Sequence, residues 1–157
     1  MNRFDLSWDD AALKVTSLQK SGRKVVFTNG CFDVLHLGHI RYLKEARDLG
    51  DFLLIGLNSD QSIQRIKGRS RPIFQVQDRA EMLMALEVVD AVVVFEQDTP
   101  LSLIQRLQPK IYVKGGDYVA EELPEFSVVT AYHGQVKCLS FYKGYSTTAI
   151  LEKGFKS

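Results

Sequence analysis

The residues best suited to do chemistry are two histidines that stand three positions apart, His36 and His39. They follow the polar segment Thr28-Asn29-Gly30 and lie where a helical pattern begins. Residues three apart share one face of a helix, so both imidazoles can point to one place beyond the helix N-terminus, where free N–H groups and the dipole favour an anion. Gly38, between them, has no Cβ and would let a phosphate approach the backbone. The pattern therefore predicts a phosphate-binding site.

Two other roles are open for these histidines. A single histidine in such a position is more often a surface or cap residue, and it is the pair that favours anion binding. The second alternative is a zinc ion held by Cys31, His36 and His39. A structural zinc site needs four ligands at recognisable spacing, and the sequence places no fourth ligand nearby. We therefore expect an anion site.

A second helix start lies near the C-terminus. The residues Ser146-Thr147-Thr148 follow Gly144-Tyr145 and precede an apolar turn. Their hydroxyls and the free N–H groups of a helix N-terminus could bind phosphate. The same residue types are ordinary helix caps, which is the more common role when they occur alone. Together with the paired histidines, they favour phosphate binding.

Two further segments carry charge or glycine. Lys67, Arg69 and Arg71 crowd one stretch of chain, although basic loops are often only solvated. Lys114-Gly115-Gly116-Asp117 follows an apolar run. Its glycines permit a tight turn and a close ligand approach, and Asp117 could accept hydrogen bonds from a base or ribose; a plain turn is the alternative.

Alternating strands and helices must position these segments. The predicted strands are Val25–Phe27, Phe52–Leu57, Ala91–Phe95, Ile111–Val113 and Val136–Leu139. The predicted helices are Trp8–Gln19, Gly38–Leu49, Gln75–Val89, one with Thr99 as N-cap and Pro100 as first residue that ends at Pro109, and one from about Thr147. The alternation predicts an α/β fold, a Rossmann-like doubly wound parallel sheet of about five strands with helices on both faces. Because ligands of such sheets bind at the carboxyl ends of the strands, we expect the segments after three of these strands to converge there.

Composition limits the class of protein. A chain of 157 residues with 45% hydrophobic and 25% charged residues is typical of one globular domain. Within it we expect a leading helical region 1–22 and a core 23–157 that carries the candidate site. The net charge of +1 gives no overall field for nucleic acid or a membrane surface. The two cysteines form no disulfide or metal pattern, and the sequence shows no signal peptide or membrane span, so we expect a cytoplasmic protein.

The segment Gly30-Cys31-Phe32-Asp33 followed by His36-Leu37-Gly38-His39 resembles the cytidylyltransferase-type nucleotidyltransferase superfamily, and the likeness extends from Val25 to Thr148. The resemblance implies that His36 and His39 bind the triphosphate of a nucleotide and stabilise the charge that builds on it. It implies catalytic roles for Lys67 and Arg79. It also implies nucleotide binding by Thr28, Asn29, Gly30, Cys31, Phe32, Lys114, Gly115, Asp117, Ser146, Thr147 and Thr148.

For the acceptor and the metal, the resemblance implies less. The candidate acceptor-binding residues are Lys44, Asn58, Asp60, Lys67 and Tyr118, of which Lys44 could equally lie on an exposed helix face. Mg²⁺ is expected to bridge the phosphates without a direct protein ligand. Asp33 is expected either to contact the ion indirectly or to brace the loop.

Within the superfamily, several segments are most similar to the heptose 1-phosphate adenylyltransferases, which make ADP-heptose for lipopolysaccharide. They are Thr28–Asp33, Leu57–Asp60, Lys67-Gly68 with Arg71-Pro72, and Val113–Tyr118. Bifunctional members carry a sugar kinase domain as well, for which this chain has no room. The implied reaction is transfer of AMP from ATP to heptose 1-phosphate with release of pyrophosphate, by an enzyme expected to be a homodimer.

Two alternatives to this branch stay open. The glycerol-3-phosphate cytidylyltransferases typically have an arginine where this chain has Phe141, which favours the heptose branch. Against it, His133-Gly134 stands where two glycines are usual in the heptose enzymes. The other alternative is a nucleotide-binding regulatory module that has lost turnover, because a fold does not by itself fix an activity.

Overall fold

The computed structural model describes residues 6–154 of the chain. Its helices are α1 (Trp8–Lys20), α2 (Leu37–Asp48), α3 (Asp60–Lys67), α4 (Val76–Met84), α5 (Leu101–Leu107), α6 (Pro124–Ala131) and α7 (Thr147–Gly154), with a short 3-10 turn at Ala120–Glu122. Its strands are β1 (Val25–Gly30), β2 (Phe52–Asn58), β3 (Ala91–Phe95), β4 (Ile111–Gly115) and β5 (Gln135–Leu139).

The five strands form one parallel sheet in the order β3-β2-β1-β4-β5, which confirms the predicted fold class. The chain moves outward from β1 through β2 to β3 and then returns to place β4 on the other side of β1. Thr28 accordingly pairs with Ile55 of β2 and with Val113 of β4. This reversal opens a crevice at the carboxyl ends of β1 and β4, where ligands of such sheets bind.

Helices cover both faces of the sheet, as predicted. Val25 and Phe27 point into one apolar layer, with residues of α1, α5 and α6, while Val26 points into the other, with residues of α2 and α4. Because successive strand residues face opposite sides, a strand buried on both faces reads as a continuous apolar run. The predicted strands were found as such runs, and the structure extends three of them to Gly30, Asn58 and Gly115.

The predicted leading helix is present as α1. Ser7 caps it by accepting a hydrogen bond from the N–H of Asp10 at 3.0 Å, and the indole of Trp8 donates to the carbonyl of Val94 at 3.0 Å. Residues 1–5 of the predicted leading region lie outside the described part of the chain. Within residues 6–154, no helix is both long and apolar enough to cross a membrane.

The local predictions missed two helices and misplaced two helix boundaries. Helices α3 and α6 were not predicted; each has only eight residues, and each buries only two of them. The predicted Thr99 cap is displaced by one residue, since Pro100 itself occupies the N-cap of α5. The helix predicted to reach Val89 ends at Met84.

Candidate active site

The paired histidines form the N-terminal cap of α2. His36 is the N-cap residue, and its Nδ1 accepts the N–H of His39 at 3.3 Å, while Nδ1 of His39 accepts the N–H of His36 at 3.4 Å. The two rings stack with their centroids 3.7 Å apart. Because each Nδ1 is an acceptor, the proton of each neutral ring lies on Nε2, on the opposite side of the ring. The residues are therefore caps and can still donate hydrogen bonds from Nε2.

The electrostatics keep both rings neutral near pH 7. Burial, followed by the charges of His36 and Lys67, lowers the pKa of His39 to about 4. Burial also lowers the pKa of His36. A neutral imidazole can cap the helix through Nδ1, whereas a protonated one cannot accept there. The site thus offers two uncharged donors at a helix N-terminus that already favours an anion.

Gly38 leaves room for a neighbouring segment of the chain. A Cβ at this position would lie 2.7 Å from Cβ of Tyr145 and 3.0 Å from the His36 ring. The guanidinium of Arg41 lies over the rings of Tyr142 and Tyr145, at 5.4 and 5.8 Å from their centroids. The absence of a side chain at Gly38 therefore makes room for the segment that precedes α7. This segment packs directly against α2.

This packing brings two helix starts together. Thr147, the first residue of α7, donates from its hydroxyl to the carbonyl of Val34 at 3.2 Å, just before α2. Ser146 caps α7 by accepting the N–H of Ala149 at 3.0 Å. Thr147 and His39 line the same pocket, a cleft of about 410 Å³ at the carboxyl ends of β1, β2 and β4.

Most of the residues expected at the site lie in the wall of this pocket. They are Asn29, Gly30, Cys31, Phe32, Asp33, His39, Asn58, Lys67, Lys114, Gly115 and Thr147. They come from separate parts of the chain, and the sheet edge brings them together as predicted. His36 and Ser146 do not line the pocket themselves; they cap the two helices whose first turns contain His39 and Thr147, which do. Burial raises the pKa of the Cys31 thiol, against the nearby charges of Lys67, Arg79 and Arg71, so this cysteine is not set up as a thiolate nucleophile.

Arg79 does not reach the pocket, which corrects the expected contact with phosphate. Its side chain is fully buried and donates to the carbonyls of Phe74, Cys31 and Asn58 at 2.8 to 2.9 Å. It also pairs with Asp60 at 2.7 Å, so Asp60, an expected acceptor ligand, is engaged as well. Through these internal hydrogen bonds, the guanidinium of Arg79 connects the ends of β1 and β2 outside the pocket wall.

Three other expected ligands are also placed elsewhere by their side chains. The hydroxyl of Thr28 is buried, 2.7 Å from that of Tyr42 and 2.9 Å from the carbonyl of Val113. Lys44 lies on the exposed face of α2, the alternative noted from the sequence. Asp117 is exposed and accepts from Ser140 at 2.7 Å.

Tyr118 and Thr148 are exposed too, and the Tyr118 ring lies 5.9 Å from Nζ of Lys114. Neither side chain lines the pocket, although both residues lie near residues that do. The expected direct contacts of these two residues with a ligand are therefore not seen in the side-chain arrangement.

Asp33 braces a loop. Its Oδ2 lies 2.5 Å from Nε of Arg71, and its Oδ1 accepts the N–H groups of Ile73 and Phe74 at 2.8 and 3.1 Å. The carboxylate thereby holds Arg71 in the pocket wall, near Lys67. Both oxygens are already engaged, and among residues 6–154 no three His, Cys, Asp or Glu side chains are grouped to hold a metal ion.

The pocket includes residues that the sequence did not assign. Phe141 lies against Gly115, whose absent Cβ would come within 2.7 Å of its ring, and 66% of Phe141 is exposed. Asp98 and Thr99 line the side of the pocket near β3. Glu125 of α6 is buried in the wall. It escaped notice because α6 itself was not predicted, so nothing indicated that this residue would reach the sheet edge.

Comparison with known proteins agrees with this architecture. The family model described as cytidylyltransferase-like matches residues 27–153. The bifunctional protein HldE of Geotalea uraniireducens is 50% identical over 145 residues, which are 92% of this chain and 30% of that protein. HldE of Nitratiruptor sp. is 47% identical over 96% of this chain and 32% of its own length. The chain thus spans about three tenths of these relatives.

A solved structure is similar over its whole length. The crystal structure of the lipopolysaccharide core biosynthesis protein from Thermoplasma volcanium shares 32% sequence identity, with a TM-score of 0.63. The match covers 80% of this chain and 100% of that one. This solved structure therefore has the same fold as the chain.

Proposed function

The chain belongs to the cytidylyltransferase-like family, and we propose that it transfers AMP from ATP to heptose 1-phosphate, forming ADP-heptose and pyrophosphate. The observation that carries the proposal is the pair of neutral histidine caps beside the start of α7. Two helix N-termini and two Nε2–H donors at one sheet edge suit a triphosphate. Lys67 and Arg71 add positive charge in the same pocket.

The proposed chemistry is a direct displacement. An oxygen of the acceptor phosphate attacks the α-phosphorus of ATP and forms a new P–O bond, while the bond to the bridging oxygen breaks and pyrophosphate leaves with the electron pair. His36 and His39 donate hydrogen bonds to the triphosphate as its negative charge shifts towards the leaving group. Such preorganised donors contribute by positioning and by charge stabilisation, with no covalent enzyme intermediate.

Mg²⁺ belongs to this proposal as a companion of the nucleotide. The oxygens of Asp33 are already bonded to Arg71 and to two backbone N–H groups, so this carboxylate does not offer a free ligand. Phosphate oxygens are suitable ligands for Mg²⁺, which would neutralise part of the triphosphate charge. The residues of the chain then only need to hold the phosphates.

The sugar acceptor rests on similarity. The segments that resemble heptose 1-phosphate adenylyltransferases, the matches to HldE and the likeness to a lipopolysaccharide core biosynthesis protein all support it. Phe141, in place of the arginine typical of glycerol-3-phosphate cytidylyltransferases, offers an open aromatic face beside Gly115. We further propose a cytoplasmic homodimer.

A substrate matrix tests this proposal. ATP, CTP, GTP and UTP are each paired with heptose 1-phosphate, glycerol 3-phosphate and other sugar phosphates, and pyrophosphate release is measured. The highest kcat/KM is expected for ATP with heptose 1-phosphate. A preference for CTP with glycerol 3-phosphate would replace the substrates but keep the reaction. Nucleotide binding without pyrophosphate release from any pair would instead indicate a regulatory module.

A further inference from the structure

One buried carboxylate in the pocket is only partly paired. Glu125 is 4% exposed, and its Oε1 lies 3.4 Å from Nζ of Lys114 and 3.5 Å from the hydroxyl of Tyr112. Its Oε2 is buried and has no hydrogen-bond partner among the described residues. A buried polar atom without a partner is unfavourable and calls for an explanation, such as a group that joins it during function.

The neighbours of Glu125 do not supply the missing donor. Tyr112 has one hydroxyl proton, and Oδ1 of Asn29 is the closer acceptor at 2.8 Å. Lys114 therefore remains as the close donor to Glu125, and it approaches Oε1. An ionised carboxylate has about four acceptor positions, so most of those on Glu125 remain available.

The chemistry of a carboxylate limits what can bind there. It repels phosphates and needs neutral or positive donors. An adenine edge presents its amine beside a ring nitrogen that is itself an acceptor, whereas each sugar hydroxyl can rotate to donate. Hydroxyl groups of a sugar ring are therefore the substrate groups that suit Glu125.

The position of Glu125 agrees with this chemistry. His39 lies at the start of α2 and Thr147 at the start of α7, which is tied by its hydroxyl to Val34 just before α2, whereas Glu125 comes from α6 in the layer on the opposite face of the sheet from α2. Asp98 and Thr99 precede α5 in that same layer and line the same pocket. A substrate whose phosphates lie at the histidines can thus extend its sugar towards Glu125.

We propose that Glu125, held by Lys114, binds hydroxyl groups of a substrate sugar through its carboxylate, in which Oε2 is unpaired among the described residues. This inference rests on the proposed nucleotidyl transfer, which supplies two such sugars, the ribose of ATP and the acceptor sugar. The chemistry is the same for both, and the experiment distinguishes them.

The test compares Glu125→Gln with the control Glu122→Gln, an exposed glutamate on the preceding 3-10 turn. KM and kcat are measured for ATP, 2′-deoxy-ATP, 3′-deoxy-ATP and heptose 1-phosphate. A hydrogen bond to a charged group corresponds to roughly a 10- to 100-fold effect. If Glu125 binds the ribose, wild type prefers ATP to a deoxy nucleotide by this factor and Glu125→Gln loses the preference. If it binds the acceptor, the variant raises KM for heptose 1-phosphate by this factor and keeps the preference of wild type among nucleotides.

A purely structural role would give a different result. In that case both KM values of Glu125→Gln stay within about twofold of wild type and nucleotide preference is unchanged, which overturns the inference. Melting temperature shows whether the variant folds, and Glu125→Asp, which keeps the charge but withdraws the oxygens, provides a second test through the same preferences. Failure of the proposed function would be seen separately, because the wild-type protein would then release no pyrophosphate with heptose 1-phosphate.

In that case, equilibrium binding tests the inference. The affinities of wild type and Glu125→Gln are compared for α,β-methylene-ATP, for its 2′-deoxy form and for heptose 1-phosphate, and equal affinities of the two proteins would refute it.

Discussion

At the scale of single residues, the histidine pair shows how one side chain can serve two purposes. Nδ1 of each ring caps the start of α2, which fixes the ring orientation and places the proton on Nε2. The pKa of His39, lowered to about 4, keeps the ring in the state that can do both. A cap and a phosphate ligand looked like alternatives in the sequence, and the geometry makes them compatible.

This double role predicts that the two functions can be separated at His36. Asparagine is a favourable N-cap residue, so His36→Asn should keep the melting temperature close to that of wild type. It lacks the Nε2–H donor, and loss of one preorganised donor costs about 2.7 to 4 kcal/mol, or a 100- to 1,000-fold loss in kcat. His36→Ala should lose the same activity and also some stability. Near-normal turnover of His36→Asn would contradict the proposed phosphate contact.

At the scale of secondary-structure elements, the contact of α2 with the segment leading into α7 defines the site. The prediction concerns Gly38→Ala, whose Cβ would lie 2.7 Å from Cβ of Tyr145 and force the two helix starts apart. Displacement of a binding group by about 1 Å can cost roughly 100-fold in rate, so kcat/KM for the nucleotide should fall by about this factor. Gly154→Ala is the control, because a Cβ there meets no heavy atom within 4 Å. Unchanged kinetics of Gly38→Ala would show that this packing is not needed.

A second prediction at this scale separates a brace from a ligand. Arg79 ties β1, β2 and α3 together, so Arg79→Met leaves Asp60 and three carbonyls without their donor. Breaking such a buried pair costs about 3 to 5 kcal/mol in the free energy of unfolding, measured by urea denaturation. Lys67→Met, at an exposed position in the pocket, should change stability by less than about 0.5 kcal/mol and mainly lower turnover. Normal stability of Arg79→Met would contradict the bracing role of Arg79 and would favour the direct phosphate contact expected from the sequence.

These elements also show what sequence reasoning can reach. The strands and α2 were predictable because buried runs and three- and four-residue spacing are local signals. The histidines and Thr147 could be assigned because helix starts carry their own chemistry. Arg79 and Glu125 could not, since the same residue type becomes a brace or a ligand only through neighbours that are distant in sequence, such as Cys31 and Lys114.

At the scale of the whole molecule, the site is assembled by the reversal of strand order. The end of α3 and the loop after it supply positive charge through Lys67 and Arg71, while β1, β2, β4, α6 and α7 supply the other walls of the pocket. The sheet that positions these groups is stabilised by two layers of buried apolar side chains, one on each face. Folding and metal binding are therefore expected to be independent of each other.

That independence gives the last prediction. Because the oxygens of Asp33 are engaged by Arg71, Ile73 and Phe74, Mg²⁺ should enter with the nucleotide phosphates and leave with the products. Removal of metals with EDTA should then abolish pyrophosphate release while the melting temperature of the nucleotide-free protein stays the same, and added Mg²⁺ should restore turnover fully. Elemental analysis of the purified protein should find no stoichiometric zinc, since a structural zinc ion needs four ligands. One tightly held zinc ion per chain, or a melting temperature that falls with EDTA, would instead make a metal part of the fold.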